Sequence, residues 1–354
     1  MAAGAPARTP RHPVRPPGGA PVSSTSTVAL DVEGLSVDIR TPAGTARAVD
    51  GVGFSVRSGQ TLALLGESGC GKSMTAQAIV GLLDPVAHVS DGAVRLDGTD
   101  LLTLDRAARR RLAGPGISIV FQDALTALNP VQTVGAQLAE PFRIHRGLSR
   151  RAARKRAMEL MERVGIPDAG ARMSAYPHQF SGGMRQRLLI AMAVALDPSV
   201  LLADEPTTAL DVTIQSQIME LLRELRAERD MAVVLITHDL AVVAEQADHV
   251  VVMYAGRVVE AGPVKEVFAE PRHPYTKGLL ESMPERVGRG TGLQSIKGSP
   301  PDLHSIPGGC VYQDRCPMVR DRCRTERPRL TVVDAEAGSD HSAACHFSEE
   351  LAHA

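Results

Sequence analysis

The sequence predicts an α/β protein built on a largely parallel sheet covered on both faces, and three observations carry this. Short apolar runs alternate with helix-period segments along most of the chain. Several of those runs are apolar without interruption, the pattern of strands buried on both sides. One of them enters a glycine-rich turn and then a helix directly. The length, 354 residues, suits one large domain with an appendage, or two domains, and a hydrophobic content of 44% is ordinary for a chain that buries a core.

Taken in order, residues 1–27 are rich in Pro, Gly, Ala and Ser and read as a disordered tail. "VALDVEGLSVDI" and "ARAVDGVGFSV" are strand-like, bounded by Gly and Pro. "TLALLG" (61–66) is a short apolar strand, followed by the helix pattern "KSMTAQAIVGLL" (72–83). "AVRLDG" and "ISIVFQ" continue the strands. Residues 123–180 change character to Ala, Arg, Leu and Met at helical spacing, which predicts a helical block inserted into the sheet domain. Strand and helix signals then alternate again through "SVLLAD", "VTIQSQIMELLRELRAERD", "MAVVLITH" and "HVVVMYAG". The sheet domain therefore runs over 28–270. Beyond it, Pro, Gly and Cys become frequent, which predicts a small C-terminal domain over 271–354.

Composition bounds the function. The net charge of −1 supplies no global attraction to nucleic acid, and no nucleic-acid partner is expected. No apolar run approaches the roughly 20 residues needed to span a bilayer. The N-terminus has no apolar central region, so it is not a secretory signal. A reducing compartment follows, where structural disulfides are disfavoured.

"GESGCGKS" (66–73) fits G-x-x-x-x-G-K-[ST] between a strand and a helix. Gly66, Gly69 and Gly71 let the backbone wrap round phosphate oxygens, with Ser68 and Cys70 completing the loop. The helix aims its positive end at the same anion. Lys72 reaches toward the β- and γ-phosphates, and Ser73 can ligate Mg²⁺. "VLLADEP" (200–206) ends an apolar strand in two acids: Asp204 for Mg²⁺ and Glu205 to polarise an attacking water. An apolar run ending in Asp-Glu is a weak signal alone. Its position about 130 residues after the phosphate loop gives it weight.

"FQD" (121–123), "FSGGMRQR" (180–187) and "ITHD" (236–239) stand in the order and spacing of an ABC ATPase, and the chain resembles that family from about residue 28 to 262. The resemblance implies a P-loop NTPase of the ABC type: a mixed-sheet core with an inserted helical subdomain. It implies that Ser181, Gly182 and Gly183 bind the γ-phosphate of the nucleotide held by the opposite subunit, and that Gln122 senses Mg²⁺ and water. It also implies that Asp211, in "TALD" (208–211), crosses the dimer interface and that His238 contacts the γ-phosphate and steadies Glu205. ATP and Mg²⁺ are the implied cofactors, with Ser73, Gln122 and Asp204 as the Mg²⁺ set. No aromatic stands in "VDIRTPAGTARAVD" (37–50) to stack on adenine. Arg47 or an aliphatic contact can take that place, and GTP use stays open.

"FQDALTALNP" (121–130) and "EPRHPYTKGLL" (270–280) narrow the resemblance to the D-type ATP-binding subunit of bacterial oligopeptide/dipeptide (peptide/nickel) importers. The implied partners are a paralogous F-type ATPase, two membrane permeases and an extracellular solute-binding protein. The implied location is peripheral, on the cytoplasmic face of the inner membrane. Nickel or another small solute is an alternative cargo. An ABC ATPase without permeases, acting on ribosomes or DNA, is the alternative from another class. The basic run "SRRAARKR" (149–156) reads as a solvated helix face, or as a contact with lipid or permease.

Cys310, Cys316, Cys323 and Cys345 are separated by five, six and twenty-one residues, without the tight C-x-x-C pairs of zinc ribbons. Four loop thiolates suit a 4Fe–4S cluster. The resemblance implies the same, since "GCVYQDRCP", "RC", "RPRL" and "ACH" follow the pattern of cluster-bearing members. A zinc site that includes His341 or His346, and free cysteines, remain open.

Overall fold

A computed structural model describes residues 27–208, 210–283, 296–333 and 339–351. Apart from Thr27, the expected tail lies outside the described residues, as does Ala209 of "TALD". The strands are β1 (Val28–Thr41), β2 (Gly44–Arg57), β3 (Thr61–Leu65), β4 (Ala87–Leu96), β5 (Thr99–Asp100), β6 (Ile117–Val120), β7 (Val200–Asp204), β8 (Ala232–Thr237), β9 (His249–Tyr254), β10 (Arg257–Pro263), β11 (Thr331–Val332) and β12 (Ser342–Ala343). They form two sheets. An antiparallel one runs in the order β2-β1-β4-β5, and a mixed one in the order β11-β12-β10-β9-β3-β8-β7-β6. Within the second, β9, β3, β8, β7 and β6 are parallel, while β10, β12 and β11 add antiparallel pairs at one end.

The uninterrupted apolar strands are the ones buried on both faces. In β7, Val200 and Leu202 face one hydrophobic cluster and Leu201 and Ala203 face another; β8 divides Val234 and Ile236 from Val233 and Leu235 in the same way. A two-residue side-chain period with both faces covered requires this. The helix Lys72–Val80 shares one cluster with both sheets, through Ala76, Ala78 and Ile79 against Leu30 and Val32 of β1 and Leu62 and Leu64 of β3.

The block between β6 and β7 is helical, with helices at Ala124–Ala127, Val134–Arg146, Arg150–Arg163, Ala169–Arg172 and Gly182–Ala193. Thr133 and Ser149 cap two of them by accepting from Ala136 N and Ala152 N, the hydroxyl at the N-cap taking a donor the helix leaves free. The basic run forms the first half of Arg150–Arg163. Its exposed face carries Lys155 and Arg156, both paired with Glu159, while Ala153 and Ala157 point inward.

The cysteine-bearing region, expected as an appended domain, is packed on the main sheet. β12 pairs with β10, and Cys310, Val311, Tyr312 and Cys323 share one hydrophobic cluster with Ala63 and Leu65 of β3. A region this rich in loops cannot bury enough apolar surface alone, so it borrows a face of the sheet.

Candidate functional site

The carboxyl ends of β3, β7, β8 and β6 deliver the predicted residues to one edge of the parallel sheet, where such folds hold their ligands. β3 runs straight into the glycine-rich loop. A Cβ on Gly66 would lie 2.3 Å from the Met253 carbonyl oxygen, and one on Gly71, at φ +102, would lie 2.9 Å from that of Ala48. Only glycine fits at either point. Gly69 takes the left-handed φ of +80. Gly71 then stands as N-cap of Lys72–Val80. Ser68 and Gly69 are exposed at the loop's crest, while Cys70 is buried beneath it. Burial pushes the Cys70 thiol upward, and it is packed as a small apolar group. The buried Lys72 ammonium donates to the Gly66 and Glu67 carbonyls at 2.7 and 3.0 Å, so it lies along the inside of the loop.

Ser73 Oγ donates to Asp204 Oδ1 at 2.9 Å. Asp204 is 4% exposed, and burial raises its pKa despite that bond. Glu205 follows with φ +44, a left-handed backbone uncommon for a non-glycine residue. Its carboxylate gathers three partners: Gln122 Nε2 at 2.8 Å, Thr208 Oγ1 at 2.8 Å and His238 Nδ1 at 3.2 Å. Burial alone would raise the Glu205 pKa, but the bonds from Thr208 and His238 outweigh it and hold the carboxyl below its ordinary value. The side chain is thus kept ionised and aimed. His238 is itself 62% exposed, with its Nδ1 turned to Glu205.

Ser181, Gly182, Asp211 and Arg47 lie on exposed surface, and Gly183 is half-buried beside them. Ser181 caps Gly182–Ala193, its Oγ accepting from Met184 N at 3.4 Å. A Cβ on Gly183 would meet Ile214 Cγ2 at 2.7 Å, so the glycine lets this helix end approach the helix Val212–Arg229. Asp211 caps Val212–Arg229 by accepting from Ile214 N at 3.0 Å, which gives it a local structural task. Arg47 is held in a two-pronged ion pair by Asp38.

No disulfide joins any of the five cysteines. Cys310, Cys316, Cys323 and Cys345 line one small cavity, with Tyr312, Met318 and Phe347 among its walls. Burial pushes the Cys316 thiol up to about 11 and the Cys345 thiol up to about 12. Among the described residues, no group of three or more His, Cys, Asp or Glu side chains is arranged to hold a metal ion. His341 is buried and its Nε2 lies 2.8 Å from Glu260 Oε1, which commits it elsewhere; His346 lines the cavity, but its Nε2 lies 3.0 Å from the Glu326 carbonyl oxygen. The mixed zinc site is therefore set aside: one histidine is spent on a buried carboxylate, and the other faces a backbone oxygen.

Three contributors escaped sequence reading. Thr208 lies three residues after Glu205, and nothing marks it apart from that offset. Tyr275 and Arg315 both reach Glu67 in the phosphate loop from beyond residue 270.

The chain matches the ABC transporter family over residues 49–208 and the oligopeptide/dipeptide transporter C-terminal region over residues 259–323. It is 49% identical over 324 residues to the dipeptide transport ATP-binding protein DppD of Bacillus subtilis (strain 168), covering 91% of this chain and 96% of that one. It is 46% identical over 318 residues to DppD of Escherichia coli (strain K12), covering 90% and 96%. Among solved structures it resembles the dimeric ATP-binding cassette MJ0796 in a post-hydrolysis state bound to ADP and phosphate. There the TM-score is 0.60 and the identity 28%, over 66% of this chain and 98% of that one. Among the described residues no helix is long and apolar enough to cross a membrane.

Proposed function

This chain belongs to the ABC transporter ATP-binding family, with the C-terminal region of the oligopeptide/dipeptide type, and from that premise we propose that it hydrolyses ATP to drive peptide import. As a member it is a transport-coupled ATPase that uses ATP and Mg²⁺. The relatives named for dipeptide transport favour peptides over nickel or another small solute.

The observation that carries the reading is the pair of carboxylates at the end of β7, one joined to Ser73 and the other held by Gln122, Thr208 and His238. In this reading the loop amides and Lys72 bind the β- and γ-phosphates. Ser73, Gln122 and Asp204 are the residues that would hold Mg²⁺, which when bound neutralises phosphate charge. Glu205 accepts the proton of the water that attacks the γ-phosphorus, as ADP leaves. Gln122 and His238 orient Glu205. Ser181, Gly182 and Gly183, at a helix N-terminus where the first two are exposed, face the nucleotide of a second cassette, as does Asp211. That cassette is a paralogous F-type subunit. Two permeases and an extracellular binding protein complete the transporter, with this chain peripheral on its cytoplasmic side. The sheet domain over 28–270, its helical part over 123–180 and the C-terminal region over 271–354 are the units assigned to these tasks.

We also propose that Cys310, Cys316, Cys323 and Cys345 hold a 4Fe–4S cluster. The cavity the four cysteines share is the observation that supports this. The group would act as a structural clip for a loop-rich region.

The test of the ATPase reading is Glu205→Gln in the complex with its permeases. Turnover should vanish while an ATP-bound dimer accumulates. Hydrolysis near the wild-type rate would remove Glu205 from the role of base.

A further inference from the structure

The C-terminal region holds the phosphate loop at Glu67. Glu67, second in "GESGCGKS", donates its backbone N–H to Tyr275 Oη at 2.9 Å. Its carboxylate takes a two-pronged ion pair from Arg315, with Nη1–Oε2 at 2.7 Å and Nη2–Oε1 at 3.0 Å. Its carbonyl meets Lys72 Nζ at 3.0 Å, the lysine that reaches for phosphate. Its carbonyl also accepts from Cys70 N at 3.3 Å, so every polar handle of this residue is occupied, and two of the four partners, Tyr275 and Arg315, lie more than 200 positions along the chain.

Arg315 is itself fixed. Its side chain is only 5% exposed. Nε donates to the Lys297 carbonyl at 2.9 Å, and the guanidinium lies over the Tyr254 ring, 5.6 Å from its centroid. Tyr254, Tyr275 and Tyr312 pack against one another with centroids 4.8–5.4 Å apart, an aromatic wall behind the contact. Arg315 immediately precedes Cys316, and its N–H donates to the Tyr312 carbonyl at 3.0 Å. The planar fork matches a carboxylate, which makes this a positioning contact that a lysine cannot duplicate.

We propose that Arg315 is a positioning residue for nucleotide binding: through Glu67 it holds the phosphate loop open in its binding shape, and so couples the cysteine-bearing region to ATP affinity. The inference rests on the loop being the ATP site. A loop already ordered need not lose backbone freedom on binding, and fixing one residue corresponds to about a tenfold change in an equilibrium constant.

The test is MgATP titration calorimetry on the full-length chain, purified anaerobically, for wild type, Arg315→Ala, Arg315→Lys, Glu67→Ala and the Arg315→Ala/Glu67→Ala double variant. Each alanine variant should raise Kd about tenfold, and the double variant should be no weaker than either single within about twofold. Arg315→Lys should fall between wild type and alanine. Additive losses in the double variant would show that Arg315 acts by general destabilisation and would overturn the proposal. Should Arg315→Ala fail to fold, Glu67→Ala decides, because its side chain sits on a partly exposed loop; unchanged Kd there also overturns it. A wild type that does not bind MgATP would instead sink the ATP-site reading.

Discussion

Ser73 and Asp204 stand 131 positions apart in the chain, yet the hydroxyl of one donates to the carboxylate of the other at 2.9 Å. β3 and β7 flank β8 in the sheet, so the helix start that follows the loop after β3 meets the last residue of β7 at the same edge. Asp204 is nearly inaccessible to water, and its burial disfavours a bare negative charge. A divalent cation beside it would restore that charge. Asp204→Asn should raise the Mg²⁺ concentration for half-maximal ATPase activity by about 10–100-fold. Mg²⁺ titration at saturating ATP checks this, and an unchanged midpoint would exclude Asp204 from the cation's surroundings.

Glu205 is kept ionised by its neighbours, and this fixes the sign of a pH effect. A base works only above its own pKa. Burial raises the Glu205 carboxyl, while Thr208 and His238 together draw it below the usual value. Removing His238 takes away part of the lowering influence, so the acid limb of the rate profile should move to higher pH. His238→Ala should also lower the rate about 100-fold, a usual cost for disturbing a positioned base. The measurement is kcat against pH for wild type, His238→Ala and Thr208→Ala. An acid limb that stays in place, or moves to lower pH, would mean that Glu205 is not the base.

The four-cysteine cavity makes a prediction about colour and metal. Anaerobically purified protein should be brown and carry about four irons per chain. Cys345→Ala should lose both. Elemental analysis and the visible spectrum check this. A colourless, iron-free, zinc-loaded preparation would refute the cluster.

Glu260 is 0% exposed and accepts from the Arg272 and His273 backbone N–H groups at 2.5 and 3.1 Å, with His341 Nε2 at 2.8 Å. It ties β10 to the start of the helix that carries Tyr275 and to the strand edge at β12. Glu260→Ala removes the buried acceptor these groups share and should cost about 3 kcal/mol. Thermal unfolding should show a lower Tm, with Glu260→Gln losing less because it keeps an acceptor. A wild-type Tm in the alanine variant would mean that water replaces the carboxylate freely.

Much of the site was legible because its chemistry is written in contiguous residues. "GESGCGKS" specifies a loop conformation through three glycines and a helix start, and "VLLADEP" specifies a buried strand that ends at its acids. The sheet read equally well, since strands such as β7 and β8, buried on both faces, allow no polar interruption. Thr208 was not legible: a threonine three residues past an acid is ordinary until Glu205 turns left-handed and brings the two side chains together. Asp211, expected only as an interface residue, also caps its own helix.

The sequence by itself determined the phosphate loop, its two acids and the central sheet, because each depends on neighbours within a few residues and on side-chain period. Only the tertiary structure decided that Tyr275 and Arg315 grip Glu67 across intervals of 208 and 248 residues, and that four scattered cysteines line one cavity. Contacts of that kind depend on how whole elements pack. Many arrangements of a loop-rich region would satisfy its composition equally well, and burial against the face of β3 selects one.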